Sequence, residues 1–171
     1  MTLQVAILTI SDRSFRGERE DSSGPAIMRL VQDTGWFVTI KALLPDDESA
    51  IREQLTAWSE SGNLDLILTT GGTGFARRDV TPEATRAVIE REAPGLAEAM
   101  RAASLKITPY AMLSRIVTGI RKRTLIINLP GSPKGAVENL QVVIPVLPHA
   151  IQLLRDDPAS EDSHSSLFSS P

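Results

Sequence analysis

Aliphatic residues at Leu3, Val5, Ala6, Ile7, Leu8 and Ile10 form a near-continuous run that stops at the polar Ser11-Asp12-Arg13. Such a run, with no alternation, predicts a strand covered on both faces. Beyond Ser23-Gly24-Pro25 the period changes. Ile27, Leu30 and Val31 fall at helical spacing, and that helix is expected to end near Gly35. Trp36 to Leu44 predicts a second strand, followed by a helix that carries Ile51, Leu55 and Trp58 on one side and has Asp46 or Asp47 as its cap. Leu64 to Thr69 predicts a third strand. Thr81-Pro82 supplies a capping hydroxyl and a proline at the first helical position, so a helix is expected to run to about Glu92, with another over Pro94 to Leu105. Thr124 to Leu129 is a further aliphatic strand, after which Ser132 caps and Pro133 opens a helix.

This alternation of strands and helices predicts an α/β domain: a three-layer sandwich with a mostly parallel sheet covered on both faces. Residues 1–155 make up that domain. From Asp156 the chain is serine-rich, acidic and proline-punctuated, and 156–171 is expected to be a disordered tail.

Composition narrows the chemistry. The 171 residues, 42% of them hydrophobic, suffice for one core without disulfides or a structural metal. There are no cysteines, which removes thiol catalysis and cysteine-ligated zinc and fits a reducing cytosol, and two histidines are too few for a histidine metal site. His149 reads as a helix-surface residue, His164 falls in the tail, and Trp36 and Trp58 read as core. Met1 to Ile10 lacks the charged start of a secretory signal, and no apolar run approaches the roughly 18 residues that span a membrane. A soluble, cytoplasmic protein is expected. With 18 basic and 21 acidic residues the net charge is −3, and aromatics are 4%, so a nucleic-acid stacking surface is not expected and a small-molecule partner fits better.

The unusual stretch is "TTGGTGFARRDVTPEAT", Thr69 to Thr85. Its glycines weaken both helix and strand, so the backbone there must take special dihedrals or let something approach closely. In an open α/β sheet, ligands sit beyond the carboxyl ends of the strands. Both Thr70-Gly71-Gly72-Thr73-Gly74 and Asn128-Leu129-Pro130-Gly131-Ser132-Pro133 follow strands and lead to helix starts whose free N–H groups suit a phosphate. A P-loop would need Gly-Lys followed by Ser or Thr, and the dinucleotide fingerprint fails because Arg77 stands at its third glycine position. Glycines serving a tight turn alone remain an alternative. Arg77 and Arg78 could neutralise a polyphosphate while Asp79 holds magnesium, or Asp79 could be a turn residue within a solvated charge cluster. Asp46-Asp47-Glu48 could simply cap a helix, and Ser114-Arg115 is either a substrate contact or a local cap.

Taken together in order, "ISDRS", "LLPDDE", "TTGGTGFARRDVTPEAT", "MLSR" and "NLPGSPKGAVENL" resemble the molybdopterin adenylyltransferase family, MogA-like proteins related to the G domain of gephyrin. The resemblance spans about Val5 to Leu154. It implies a three-layer α/β fold, a homotrimer, and transfer of AMP from ATP to the terminal phosphate of molybdopterin with magnesium, before a partner enzyme inserts molybdate. Carried over by motif, the catalytic and metal-holding carboxylates fall on Asp46, beside Asp47, and on Asp79. Substrate contacts fall on Ser11 and Asp12, on Gly71, Gly72, Thr73 and Gly74, on Ser114, and on Asn128, Leu129, Pro130, Gly131, Ser132 and Pro133. A sister branch, the MoaB-like proteins, shares the glycine loop and "DVTPEAT", and a pterin-binding or scaffold role is the alternative it implies.

Overall fold

A computed structural model describes residues 1–156, and the N-terminal aliphatic run is a strand, β1 (Gln4–Ile10), whose side chains divide between two cores. Along the chain follow α1 (Asp12–Phe15), α2 (Ser23–Asp33), β2 (Phe37–Leu44), α3 (Glu48–Glu60), β3 (Leu66–Thr70), α4 (Thr81–Val88), β4 (Arg91–Glu92), α5 (Pro94–Leu105), β5 (Thr118–Arg121), β6 (Thr124–Leu129), α6 (Pro133–Val143) and α7 (Leu147–Leu154). Pro109–Leu113 and Ile144–Val146 are 3-10 turns. The expected tail, apart from Asp156, lies outside the described residues.

The strands form one sheet in the order β2-β1-β3-β6-β5-β4. β1 runs parallel to β2 and β3, and β3 to β6, whereas β5 is antiparallel to β6 and β4. Alternate side chains on the parallel strands face opposite layers. Val5, Ile7, Leu66, Leu68, Leu125 and Ile127 pack with Ile27, Met100, Leu140 and Ile151 from α2, α5, α6 and α7. Ala6, Leu8, Ile10, Ile67 and Ile126 pack with Ile51, Leu55, Trp58 and Val88 from α3 and α4. Burying each large aliphatic contributes roughly 1.5–3 kcal/mol, so a sheet covered on both sides is the stable arrangement for runs that lack a polar face. The sheet is mostly parallel, and the three layers are those expected.

Some boundaries differ from the sequence reading. The helix expected to reach Glu92 ends at Val88, because Ile89 turns extended and the N–H groups of Glu90 and Ala93 donate to Ile120 and Thr118 carbonyls at 2.8 and 3.0 Å. That contact makes β4 and β5, which sequence periodicity does not show. Gly119 resembles a strand breaker, yet a Cβ there would lie 2.6 Å from Ile89 Cδ1. Close packing, not a turn, demands that glycine. The Thr81 hydroxyl does not cap α4 either; it donates to the Gly71 carbonyl at 2.9 Å, and Val80 is the cap residue.

By length and composition alone, the helical run Pro133–Leu154, although interrupted by polar residues such as Lys134 and Glu138, is apolar enough to cross a membrane. Its Ala136, Leu140, Val143, Leu147 and Ile151 are committed to the core, each 0–1% exposed.

Candidate functional site

In the sheet order, the chain leaves β1 for one neighbour, β2, and returns on the other side as β3, which opens a crevice at the carboxyl ends of β1 and β3. There a polar cleft of about 920 Å³ is lined by Ser11, Asp12, Asp46, Gly71, Gly72, Arg78, Asp79, Gly131, Ser132 and Pro133, with the segment from Arg13 to Ser23 along one wall. A second, more apolar cleft of about 350 Å³ is lined by Thr73, Gly74, Ser114, Pro130, Tyr110 and Asn139 among others. Ser132 borders both.

The two adjacent aspartates after β2 divide their tasks. Asp47 has extended backbone and its Oδ1 accepts from Ala50 N–H at 2.8 Å, so it caps α3. Asp46 is thereby free to face the cleft. Its Oδ2 accepts from Asp12 N–H at 2.9 Å, while its own N–H donates to Asp12 Oδ1 at 3.0 Å. Burial raises the Asp46 pKa above its ordinary value, the Asp12 N–H opposes that, the charges of Asp12 and Asp79 add to the rise, and Arg78 lowers it. Ser11 caps α1 by accepting from Ser14 N–H at 3.2 Å.

The glycine loop is shaped by close approach. Gly71 and Gly72 have φ of +100° and +61°, a region that disfavours side chains. A Cβ on Gly71 would strike the Ile10 carbonyl oxygen, and one on Gly72 would strike Thr81 Oγ1 and lie 3.1 Å from Asp46 Oδ1. The second loop abuts the first: a Cβ on Gly131 would sit 3.2 Å from Gly71 Cα, and Thr70 Oγ1 donates to the Pro130 carbonyl at 2.7 Å. Ser132 caps α6 through Gly135 N–H at 3.1 Å.

Asp79 is both a turn residue and a cleft residue. Its Oδ2 accepts from Ala76 N–H at 2.8 Å and would lie 2.9 Å from a Cβ on Gly74. The two carboxylates of the acidic pair therefore lie against one loop, Asp46 beside Gly72 and Asp79 beside Gly74. Of the two arginines, Arg78 lines the polar cleft, whereas Arg77 lines a separate surface hollow with Phe75 and Glu83. Thr73 and Gly74 face the second cleft, where Ser114 Oγ is buried with no hydrogen-bond partner among the described residues.

Asn128 and Leu129, expected as ligand contacts, lie inside the fold and line neither cleft. Asn128 Oδ1 accepts from Val117 N–H at 3.1 Å and its amide nitrogen donates to Thr69 and Thr85 hydroxyls at 2.9 Å each, so the amide is consumed in joining β6 to its neighbours. Asp21, which none of the sequence motifs contains, lines the polar cleft, accepts from Thr9 Oγ1 at 2.7 Å and takes N–H groups of Ser23 and Gly24 at the start of α2. The charge-dense segment Arg13 to Asp21 was its signal.

Among the described residues no group of three or more His, Cys, Asp or Glu side chains is gathered to cage a metal. Among the acidic residues of the cleft, Asp46 and Asp79 flank one loop, a pair that could suit magnesium, which binds through one or two carboxylates and completes its shell with water and phosphate oxygens. Burial is the main reason the Asp46 carboxyl is raised, and the charges of Asp12 and Asp79 add to it in smaller part.

Residues 6–149 match the family described as "Probable molybdopterin binding domain". Gephyrin of Dictyostelium discoideum is 44% identical over 95% of the chain, which spans 24% of gephyrin's length. A molybdopterin adenylyltransferase of Helicobacter pylori is 41% identical over 90% of this chain and 88% of its own. The crystal structure of the molybdopterin biosynthesis enzyme MoaB from Thermus thermophilus superposes with a TM-score of 0.86 at 53% identity, covering 92% of this chain and 99% of that one.

Proposed function

The chain belongs to the family of probable molybdopterin binding domains, and from that premise we propose that it is a molybdopterin adenylyltransferase of molybdenum cofactor biosynthesis. It transfers AMP from ATP to the terminal phosphate of molybdopterin and releases pyrophosphate. The observation that carries this reading is the placement of Asp46 and Asp79 against one glycine loop in the polar cleft.

A phosphate oxygen of molybdopterin forms the new bond to the α-phosphorus of ATP, and the bond from that phosphorus to the bridging oxygen breaks, pyrophosphate leaving with the electron pair. The nucleophile is already anionic, so no general base is needed, and among the described residues no histidine lines either cleft. Asp46 and Asp79 would hold magnesium, whose charge reduces repulsion between the two phosphate chains. Gly71 and Gly72 let phosphate approach the backbone, the α6 N-terminus and Arg78 add positive potential, and the second cleft offers an apolar wall for a ring. A homotrimer that passes its product to a molybdate-inserting enzyme belongs to the same proposal.

The second reading is a non-catalytic molybdopterin-binding role within the MoaB-like branch, to which the chain is linked by its 53% identity to the Thermus MoaB, itself described as an enzyme. Purified protein given molybdopterin, ATP and magnesium separates the two. Adenylylated pterin and pyrophosphate in equal amounts support the enzyme; tight pterin binding with no product at any magnesium concentration supports the binding module.

A further inference from the structure

Ser114 lines the second cleft, and the residue after it, Arg115, lines the surface hollow beside Arg77, Asp79 and Glu83. The Arg115 N–H donates to the Thr73 carbonyl at 3.0 Å. Its guanidinium then spreads over three groups: Nε donates to the Gly74 carbonyl at 2.7 Å, Nη2 to the Asp79 carbonyl at 2.5 Å, and Nη1 pairs with the Glu83 carboxylate on α4. Both ends of the 74–79 loop are thus clipped to one planar group, and that group is anchored to a helix. Arg115 touches the main-chain carbonyl of Asp79 and not its carboxylate, so it fixes the residue without touching the carboxylate oxygens that would hold a cation.

We propose that Arg115 is a positioning residue for adenylyl transfer, holding Asp79 in register with Asp46 and tying that register to Ser114 in the neighbouring cleft. The inference rests on reading Asp79 as a metal-holding carboxylate. Only a fork-shaped cation meets the geometry. A lysine is a point charge with three donors on a flexible stem and cannot span Gly74, Asp79 and Glu83 together. Displacing a reacting group by about 1 Å costs on the order of a hundredfold in rate, so loosening this clip reaches the chemistry without removing any contact to substrate.

The test compares wild type with Arg115→Ala, Arg115→Lys and Glu83→Gln, and its first readout is independent of activity. Amide hydrogen exchange at Ala76 and Asp79, which bond one another, is expected to quicken at least about tenfold in Arg115→Ala, less in Arg115→Lys, and least in Glu83→Gln. In the transfer assay, kcat is expected to fall about tenfold to a hundredfold, the magnesium midpoint to rise, and KM for molybdopterin to stay within about twofold. Unchanged exchange in Arg115→Ala, or a loss confined to KM, overturns the proposal. Should Arg115→Ala not fold, Arg115→Lys decides by the same criteria. If wild type transfers no AMP, the enzyme reading falls, while exchange still decides whether Arg115 clips Asp79.

Discussion

Asp12 and Asp46 brace one another through reciprocal hydrogen bonds, the N–H of each donating to the carboxylate of the other at 2.9 and 3.0 Å. The pair locks the loops that leave β1 and β2, which are adjacent parallel strands paired up to Ile10 and Leu44. Both carboxylates stay aimed at the cleft at the expense of like-charge crowding. Asp12→Ala is expected to lower stability in urea by about 1–2 kcal/mol and the transfer rate by at least about tenfold. Asp12→Asn, which keeps an acceptor, should recover most of the stability. An Asp12→Ala protein with unchanged stability and rate removes the brace from the account.

Asp46 and Asp47 differ by one position and should differ in consequence. Asp47→Ala removes the α3 cap and is expected to cost about 1 kcal/mol with transfer nearly intact. Asp46→Asn relieves the burial and like-charge penalties that raise this carboxyl, so stability should hold or rise while transfer collapses. Parallel thermal melts and rate measurements check the contrast; equal effects of the two changes on transfer would mean that the site does not distinguish them.

Gly72 and Gly62 both have positive φ, +61° and +73°, but a Cβ has open space at Gly62 and collides with Thr81 at Gly72. Alanine at Gly62 should therefore carry only a backbone cost of about 1 kcal/mol. Alanine at Gly72 should cost about 1–3 kcal/mol and disturb Asp46 as well. Activity per folded molecule is the discriminating measurement: it should drop in Gly72→Ala and stay in Gly62→Ala.

Burial pushes the Glu83 carboxyl up, but the hydrogen bond from Arg115, a backbone N–H, and the charges of Arg115 and Arg86 outweigh it and leave it below its ordinary value of 4.5. A carboxyl lowered by folding contributes stability above the unfolded pKa and loses it as pH falls through the folded value. The stability difference between wild type and Glu83→Gln should be largest above about pH 5 and shrink toward about pH 3. Melts across that range check it, and a difference that does not change with pH would contradict the ion pair.

What the sequence made legible were features encoded within one element. Aliphatic runs such as Val5 to Leu8 announce strands buried on both faces, and Trp58 at helical spacing from Leu55 and Ile51 announces the covering helix. Tertiary choices were hidden. Neighbouring aspartates look alike until backbone geometry gives one of them the cap, and the side-chain partners of Asn128, at Thr69, Thr85 and Val117, come from three other segments that local sequence does not join to it. β5 stayed invisible because Gly119 is explained by the Ile89 side chain packed over it, from a distant part of the chain. Arg115 was visible only as a neighbour of Ser114, since its three acceptors come from parts of the chain that periodicity does not join.

The most direct measurement follows binding and turnover separately in wild type and Asp79→Asn, with molybdopterin, ATP and magnesium. Backbone N–H groups of the glycine loop and the α6 N-terminus remain in the variant, so it should bind molybdopterin within about tenfold of wild type. Loss of one of the two carboxylates proposed to hold magnesium should slow formation of adenylylated pterin by roughly a hundredfold to a thousandfold, about 3–4 kcal/mol of transition-state stabilisation at 1.36 kcal/mol per tenfold. Wild type turning over while Asp79→Asn binds and stalls is the result expected. Asp79→Asn forming adenylylated pterin as fast as wild type would contradict the paired-carboxylate account at its centre.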